Sequence, residues 1–493
     1  MTDLKHYKML IDGEWVGAGD GAVFESVNPT TGKVWAMIPE ATADDVDRAV
    51  QAADRAFNHG PWSTMTATQR GHCLRKLADL LVDKSEAFGT VETIDTGKLL
   101  KETRWQAKYI AEFFHFFAGC ADKIHGETLP IDKPDMFVFT RREPLGVIAA
   151  IVPWNSQLFL SAVKIGPALA AGNTVVLKVS EHASAPMLEF GALIEAAGIP
   201  PGVVNIICGH GDPCGRVLTS HKRVARISFT GGPGAARQIL TNSTNNFAQV
   251  SLELGGKSPI IVFDDANLES AVNGAISGIF GATGQSCVAG SRLLLQDTIA
   301  DAFLERMVSL AGQIKVGDPL AAETEMGPIC TQAQLDCVER EVARAVAEGG
   351  RILCGGARVA GLAGRFYQPT IIECPSPDLH IVDTEMFGPV LSVLRFKDEA
   401  YAIRLANQTE HGLAAGIFTR DGARQLRMVK AVKAGIVWVN TYRAVSPIAE
   451  FGGMKNSGYG RESGLQAVYD YTRPKTAWIN TSDEPLGSQF VAR

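Results

Sequence analysis

One thiol stands in a run of small, turn-permissive residues: Phe280-Gly281-Ala282-Thr283-Gly284-Gln285-Ser286-Cys287-Val288-Ala289-Gly290-Ser291-Arg292. A nucleophilic cysteine needs access, a depressed pKa and donors for the oxyanion it creates. Glycines at 281, 284 and 290 allow close approach and unusual backbone angles. Gln285 and Ser286 carry hydrogen-bonding groups, and the backbone N–H of Cys287 can donate. A turn that merely holds a thiol is the competing reading. A second run, Val250-Ser251-Leu252-Glu253-Leu254-Gly255-Gly256-Lys257-Ser258-Pro259, sets one carboxylate between two leucines, ahead of a Gly-Gly turn. Burial would raise its pKa and make it a proton acceptor near neutrality. A satisfied acid at a strand end is the alternative.

Taken together, the two runs resemble the aldehyde dehydrogenase superfamily. Its signatures are Glu-Leu-Gly-Gly-Lys and, a few turns later, Gly-Gln-x-Cys. Both stand here in order and at the family's separation, and the resemblance covers nearly the whole chain. It implies an α/β fold of two Rossmann-like domains with a small β oligomerisation arm. The implied division is residues 1–124 and 145–256 for NAD binding, 257–455 for catalysis, and 125–144 with 468–493 for the arm.

Other runs carry further chemistry. Residues 147–152 form an uninterrupted apolar run, as in a strand buried on both faces, and lead into Pro153-Trp154-Asn155. Ligands collect at strand ends in a parallel sheet, and an amide there can donate to an oxyanion; Asn as a plain turn former is the alternative. The resemblance makes Pro-Trp-Asn the oxyanion-side motif, with Trp154 on the cofactor side. Relatives continue with an aromatic residue and proline. Ser156-Gln157 here predicts a smaller, more polar wall of the substrate pocket. Lys164, in Val163-Lys164-Ile165-Gly166-Pro167-Ala168-Leu169, matches a family lysine near the catalytic centre, against a solvated helix lysine.

Lys178 and Glu181 close the next apolar run. An ammonium and a carboxylate at a strand end can grip the two hydroxyls of an adenosine ribose, or form a surface ion pair. In the family this Lys-x-x-Glu grips the ribose, and a carboxylate there favours NAD over NADP. Gly209-His210-Gly211-Asp212-Pro213-Cys214-Gly215 nearly spells Gly-x-Gly-x-x-Gly, but the third glycine is one place late and no acid closes the next strand. It reads as a turn entering a helix. Thr230-Gly231-Gly232 opens a helix whose exposed N–H groups can bind phosphate; Gly232 and Ala236 depart from the family's serine and second glycine. Asp383-Thr384-Glu385-Met386-Phe387-Gly388-Pro389 resembles the run that holds the nicotinamide ribose (Glu385) and packs beside the nicotinamide (Phe387). The residue before that glutamate is often acidic in relatives, and is Thr384 here. Phe451 to Glu462 matches the glycine-rich loop around the substrate channel. Before it, Arg443 stands at the substrate mouth, free to pair with a substrate carboxylate or with Glu450 as a surface pair.

These residues need a scaffold to meet. At 493 residues the chain exceeds one hydrophobic core. Its composition, 46% hydrophobic and 20% charged, is that of a globular protein. The net charge of −6 gives no footprint for nucleic acid. No apolar run spans a bilayer and residues 1–15 lack a signal-peptide core, so no membrane partner is expected. Nine cysteines without a Cys-x-x-Cys pair argue against zinc or disulfides and for a reducing cytoplasm. Residues 8–40 read as β-rich. Helical spacing covers 44–57, 68–87 and 102–122, where Trp105, Phe113, Phe114, His115 and Phe116 read as core. Residues 125–144 read as strand-like runs broken by prolines; in the family this is a hairpin arm reaching a neighbouring subunit. Beyond 256, strands at 259–263, 292–296, 390–396, 414–418 and 436–439 alternate with helices at 300–313 and 334–348. Residues 474–480 read as a final strand, which in the family pairs across subunits, and the last residues as a loose tail.

The resemblance implies a cytoplasmic, NAD-dependent aldehyde dehydrogenase, a homodimer or homotetramer, acting on a small-molecule aldehyde without a metal. Cys287 forms the thiohemiacetal, Asn155 and the Cys287 N–H hold its oxyanion, and hydride loss leaves a thioester. Glu253 activates the hydrolytic water, and Lys164 and Glu462 relay its proton. CoA-acylating relatives usually lack the Glu253 carboxylate. Two alternatives stay open: a thiol hydrolase or acyltransferase, although no histidine lies in the matched motifs, and a catalytically silent relative.

Overall fold

In the computed structural model, which describes residues 4–486, the apolar runs of the first half lie side by side in an eight-stranded sheet. Five strands at its centre are parallel, in the order Gln249–Glu253, Val224–Thr230, Val147–Ile151, Thr174–Val179, Val204–Cys208. Val147–Ile151 and Thr174–Val179 are buried along their whole length. Helices on both faces remove these strands from water, which explains their unbroken apolar sequence. The chain builds outward from Val147–Ile151 to Val204–Cys208, then returns to place Val224–Thr230 on the other side. Strand order therefore reverses between Val147–Ile151 and Val224–Thr230, and the carboxyl ends of that pair open a crevice where a ligand fits. Short antiparallel pieces close the edges, Met9–Ile11 with Glu14–Val16 on one side and Gly458–Tyr459 on the other.

A second, seven-stranded sheet runs Arg351–Cys354, Thr370–Glu373, Val390–Phe396, Arg292–Gln296, Pro259–Val262, Ala414–Phe418, Ile436–Val439. All its pairs are parallel except the first. Separate apolar clusters cover its two faces. The expected strands and helices beyond residue 256 stand within a few residues of their places. Arg351–Cys354 and Thr370–Glu373, each four residues long, were not among the strands expected from sequence.

Helix boundaries differ at one point. The pattern over 68–87 is two helices, Ala67–Asp83 and Ser85–Thr96, hinged at Lys84. The bend brings Gly89 against the backbone of Arg104 on the next helix, Leu100–Cys120, where a Cβ would come within 2.9 Å of it. That contact is tertiary, and no Gly or Pro at the hinge announces it.

The arm is not a hairpin closed on itself. Met136–Pro144 pairs antiparallel with Thr472–Asn480 of the same chain, from Thr472↔Pro144 to Asn480↔Met136. Thr128 makes only an isolated bridge to Phe139. The tail expected at the very end, residues 487–493, lies outside the described residues. Among the described residues no helix is long and apolar enough to cross a membrane.

One buried side chain ties the second sheet to the Gly-Gly turn. Arg292, 1% exposed, donates to the carbonyls of Lys257, Leu405 and Ala406, each at 2.8 Å. Burial, the largest influence, pulls its pKa down to about 10, so it stays charged at neutral pH. Arg292→Leu would leave the buried carbonyls of Lys257 and Ala406 without this donor and Leu405 with only the long bond from the Gln408 N–H, at about 1–3 kcal/mol for each orphaned carbonyl. The variant should melt several degrees below wild type in a thermal scan; an unchanged midpoint would mean that other donors reach these carbonyls.

Candidate active site

Cys287 lines two adjoining cavities, and a third adjoins one of them. A junction cavity of about 240 Å³ is lined by Cys287, Asn155, Glu253, Trp154, Glu385 and Phe387, among others. A wider cavity of about 670 Å³ opens from it and shares Cys287, Asn155 and Leu160. On the other side a groove of about 510 Å³ shares Pro153, Trp154, Thr230, Gly231 and Gly232 with the junction. The nucleophile candidate thus stands between a large pocket and a long groove.

The loop that carries Cys287 follows the helix Leu268–Phe280. Its backbone is strained at unexpected positions. Of the three glycines, only Gly284 takes a positive φ, and Ala282 and Thr283 take one as well, at 52° and 58°. Gly281 and Gly290 serve close approach instead: side chains there would meet Arg443 and Ile260. Thr283 is held by its hydroxyl on the Gly327 carbonyl, 3.1 Å. Gln285 is a strut rather than a substrate ligand. Its side-chain oxygen accepts the Cys330 N–H at 2.8 Å, and its backbone carbonyl accepts the Asn155 amide at 3.0 Å. That second bond uses one of the two Asn155 amide hydrogens and leaves the other for the cavity.

The Cys287 thiol is not activated in the expected direction. Burial, with the Glu385, Glu253 and Glu462 carboxylates, pushes it up to about 12. The sequence supplies hydrogen-bonding groups around it but no cation, so the thiol form is the stable one.

Glu253 ends the strand Gln249–Glu253 and is 3% exposed. Neither carboxylate oxygen has a hydrogen-bond partner, so it is not the satisfied strand-end acid. Burial first, then the Glu462 carboxylate, raises its carboxyl well above the usual range, against Lys164 and Arg461. Lys164, fully buried, is paired with Glu462 and reaches Ser228 Oγ at 3.3 Å. Glu462 arrives from the glycine-rich loop through paired backbone bonds with Phe451, 2.6 and 2.7 Å. Two elements far apart in sequence therefore bring an ion pair behind Glu253.

In the groove, Lys178 and Glu181 pair at 3.1 Å. Burial would raise the Glu181 carboxyl, but Lys178 and the Glu181 N–H outweigh it and hold it below its ordinary value. The turn over residues 211–215, set aside as a failed phosphate fingerprint, lines this same groove through Gly211, Asp212 and Gly215. Arg216 lies there too, tied to Asp212 at 2.9 Å; no sequence signal singled it out. The helix Pro233–Ser243 starts beside the groove with Gly232 as its cap. The N–H of Gly231 is already donated to the Glu253 carbonyl, 3.1 Å, and Pro233 has none. The donors left for a phosphate come from further along the first turn.

Glu385 accepts the Gly256 N–H at 3.0 Å, and any side chain at Gly255 would collide with its carboxylate. Burial raises Glu385 to about 7. Phe387, at a positive φ of 46°, packs edge-on against Trp154 with ring centroids 5.4 Å apart.

The wide pocket corrects two expectations. Gln157 does not line it: the side chain is buried and donates to the Ala183 carbonyl at 3.0 Å. Only Ser156 faces the pocket, and Trp105, Tyr109, Phe159 and Phe451 give it an aromatic wall. Trp105, read as core, is 59% exposed and stacks on Tyr109 at 5.1 Å. His115 is half-exposed near Asp79, while Phe113 and Phe114 are core.

Comparison with known proteins matches this arrangement. The sequence profile of the aldehyde dehydrogenase family aligns with residues 15–477. A protein of Acinetobacter baylyi named (Z)-2-((N-methylformamido)methylene)-5-hydroxybutyrolactone dehydrogenase is 53% identical over 492 residues, 99% of this chain and 100% of that one. A cytosolic aldehyde dehydrogenase of Rattus norvegicus is 42% identical over 488 residues, 98% of this chain and 96% of that one. The NAD+ complex of an aldehyde dehydrogenase from Bacillus cereus superimposes with a TM-score of 0.95 at 39% identity, covering 97% of each chain. The likeness runs through both sheets and the cavity between them, and the chain belongs to the aldehyde dehydrogenase family.

Proposed function

We infer that Cys287, Asn155 and Glu253 carry the NAD-dependent oxidation of an aldehyde to its carboxylate. The observation behind this is that all three line one small cavity between a long groove and an aromatic pocket. Cys287 Sγ adds to the aldehyde carbon, and its proton passes to water in the cavity as the carbon–sulfur bond forms. The free amide hydrogen of Asn155 and the Cys287 N–H stabilise the oxyanion of the thiohemiacetal. NAD, when bound, supplies the hydride acceptor, so that the thiohemiacetal goes on to a thioester on Cys287. Glu253 takes a proton from water as the water attacks the thioester. Lys164 and Glu462 pass that proton on. The two unpartnered oxygens of Glu253 suit a base better than a structural acid.

The groove fits NAD. Lys178 and Glu181 stand where an adenosine ribose needs a donor and an acceptor, and the start of the helix Pro233–Ser243 offers N–H groups to phosphate. Gly231 and Gly232 let the backbone approach the pyrophosphate. Trp154 and Phe387 flank the nicotinamide end, with Glu385 for its ribose.

We assign residues 1–124 and 145–256 to NAD binding and 257–455 to catalysis, in line with the two sheets. We assign residues 125–144 and 468–493 to the arm, of which 487–493 lie outside the described residues. Exposed Phe137, Trp478 and Ile479 on its two strands support a homodimer or homotetramer built there. Nine free cysteines support a reducing, cytoplasmic setting. For the substrate, the Acinetobacter relative is a guide. A 5-hydroxybutyrolactone is the ring-closed form of a 4-oxo acid, an aldehyde with a carboxylate at the other end of a short chain.

Cys287→Ala should abolish NADH formation with every aldehyde, whereas Glu253→Gln should release one NADH per site and then stall at the thioester. Steady turnover without a burst in the second variant would remove Glu253 from the base role.

The deacylation rate should rise with pH, because the raised Glu253 carboxyl accepts a proton only above its pKa. Glu462→Gln removes a negative neighbour and frees Lys164, and both changes lower that pKa. The rise should then move to lower pH; a pH profile unmoved, or moved upward, would exclude this coupling.

NAD should be preferred over NADP, since Glu181 repels a 2′-phosphate. Glu181→Gln should narrow the ratio of kcat/KM values for the two cofactors. Equal values in wild type would mean that Lys178 or Arg216 accommodates the phosphate.

A further inference from the structure

Arg443 lines the aromatic pocket that opens onto Cys287. Only one of its five N–H donors is engaged, Nη1 on the Ser277 carbonyl at 3.2 Å. Neither Glu450 nor Glu102 comes within ion-pair distance of it, so the surface pair expected from sequence does not form. The guanidinium is left with a partly free fork on a residue that lines this pocket.

The backbone beneath it is held in a costly conformation. Arg443 has φ of 62°, and Asn440 of 54°. Such angles are unfavourable for residues with a Cβ, and where they persist the surroundings impose them. Here the restraints are visible. Asn440 exchanges two side-chain bonds with Thr419, 3.1 and 3.0 Å. The Tyr442 hydroxyl donates to the Val288 carbonyl, directly after the nucleophile, at 3.0 Å. Trp438 Nε1 donates to the Ala444 carbonyl at 2.8 Å, and the Tyr109 hydroxyl to the Val445 carbonyl at 2.7 Å. A glycine at 443 would satisfy every one of these restraints without strain. The arginine is therefore not what the loop geometry asks for.

We propose that Arg443 is the specificity-determining residue of this pocket and binds a carboxylate at the far end of the aldehyde substrate. The inference rests on the aldehyde-oxidation reading above. A guanidinium with free donors, held rigidly at the rim of an apolar pocket, matches a carboxylate by paired hydrogen bonds and loses little entropy on binding it. Lys101 adds a second cation to the same pocket, with its ammonium on the Thr324 carbonyl at 2.6 Å. The one opposing charge is Glu102. One of its oxygens accepts the Ala282 N–H at 3.4 Å, and the other is buried without a partner. A cationic aldehyde bound to Glu102 is thus the rival outcome.

The test compares kcat/KM for 4-oxobutanoate, butanal and 4-aminobutanal. Wild type should favour 4-oxobutanoate. Arg443→Gly should lower the ratio of 4-oxobutanoate to butanal by about 10–100-fold, the loss of a charged hydrogen-bonded pair, while its melting temperature holds or rises because the strain is relieved. Arg443→Lys should keep part of the preference. A ratio unmoved in the glycine variant, or a wild-type preference for 4-aminobutanal, would overturn the proposal. Absence of NADH with all three aldehydes would instead count against the oxidation reading itself.

Discussion

The hydrogen bond from the Asn155 amide to the Gln285 carbonyl joins the two halves of the reaction centre. Asn155 extends from the carboxyl end of a strand in the first sheet, and Gln285 belongs to the loop that leads into the second. A shift of one sheet against the other would separate Asn155 from Cys287, and the near-attack geometry of the proposed reaction tolerates little such error. The surrounding contacts restrict that shift. Gln285 reaches on to the Cys330 N–H, Arg292 fastens the strand after the loop to the turn after Glu253, and the Gly231 N–H binds the Glu253 carbonyl. Each bond crosses between segments that are distant in sequence, so the site exists only in the assembled fold.

The electrostatics of the centre follow from the same burial. Three carboxylates, Glu253, Glu385 and Glu462, raise the Cys287 thiol together with the loss of solvent. Glu462 also raises Glu253, while Lys164 opposes that effect. A buried acid with no hydrogen-bond partner is expensive in stability, yet the same burial raises its pKa, which suits the base role proposed for it. Lys164 lies one layer behind and faces Glu462, which limits the cost without neutralising Glu253 directly. The site is organised for proton removal rather than for a standing thiolate.

Much of this could be read from residue types. Uninterrupted apolar runs marked the parallel strands, and the order of motifs marked Cys287, Glu253 and Asn155, because chemistry restricts which residues stand at strand ends. What could not be read was direction. Gln157 and Ser156 are neighbours, but only Ser156 faces the pocket, and helix phase near a strained start is not a sequence property. Trp105 looked like core because it is an aromatic residue in a helical pattern, whereas it is exposed and lines the pocket. The turn at 211–215 failed as a phosphate fingerprint and still lines the cofactor groove, since lining needs only proximity. For Gly281 and Gly290, of the two roles expected, close approach and unusual angles, only the first holds, and what they approach, Arg443 and Ile260, lies in other segments.

Strain is distributed with the same logic. Among the described residues, positive φ angles at residues with side chains occur at nine positions; Ala282, Thr283, Phe387, Asn440 and Arg443 stand in the loops that carry Cys287, Glu385 and Arg443, while Asp12 and Phe247 lie elsewhere. A loop relaxed to ordinary angles would swing Phe387 off Trp154 or carry Cys287 away from Asn155. Holding it requires bonds that a solvent-facing loop lacks: Thr283 on Gly327, Tyr442 on Val288, Asn440 on Thr419. These partners lie on the buried sheet and its connections, where packing resists movement. The parallel sheets thus do two jobs with one set of contacts. They supply the strand ends at which ligands gather, and they supply the rigidity that keeps unfavourable backbone angles in place at those ends.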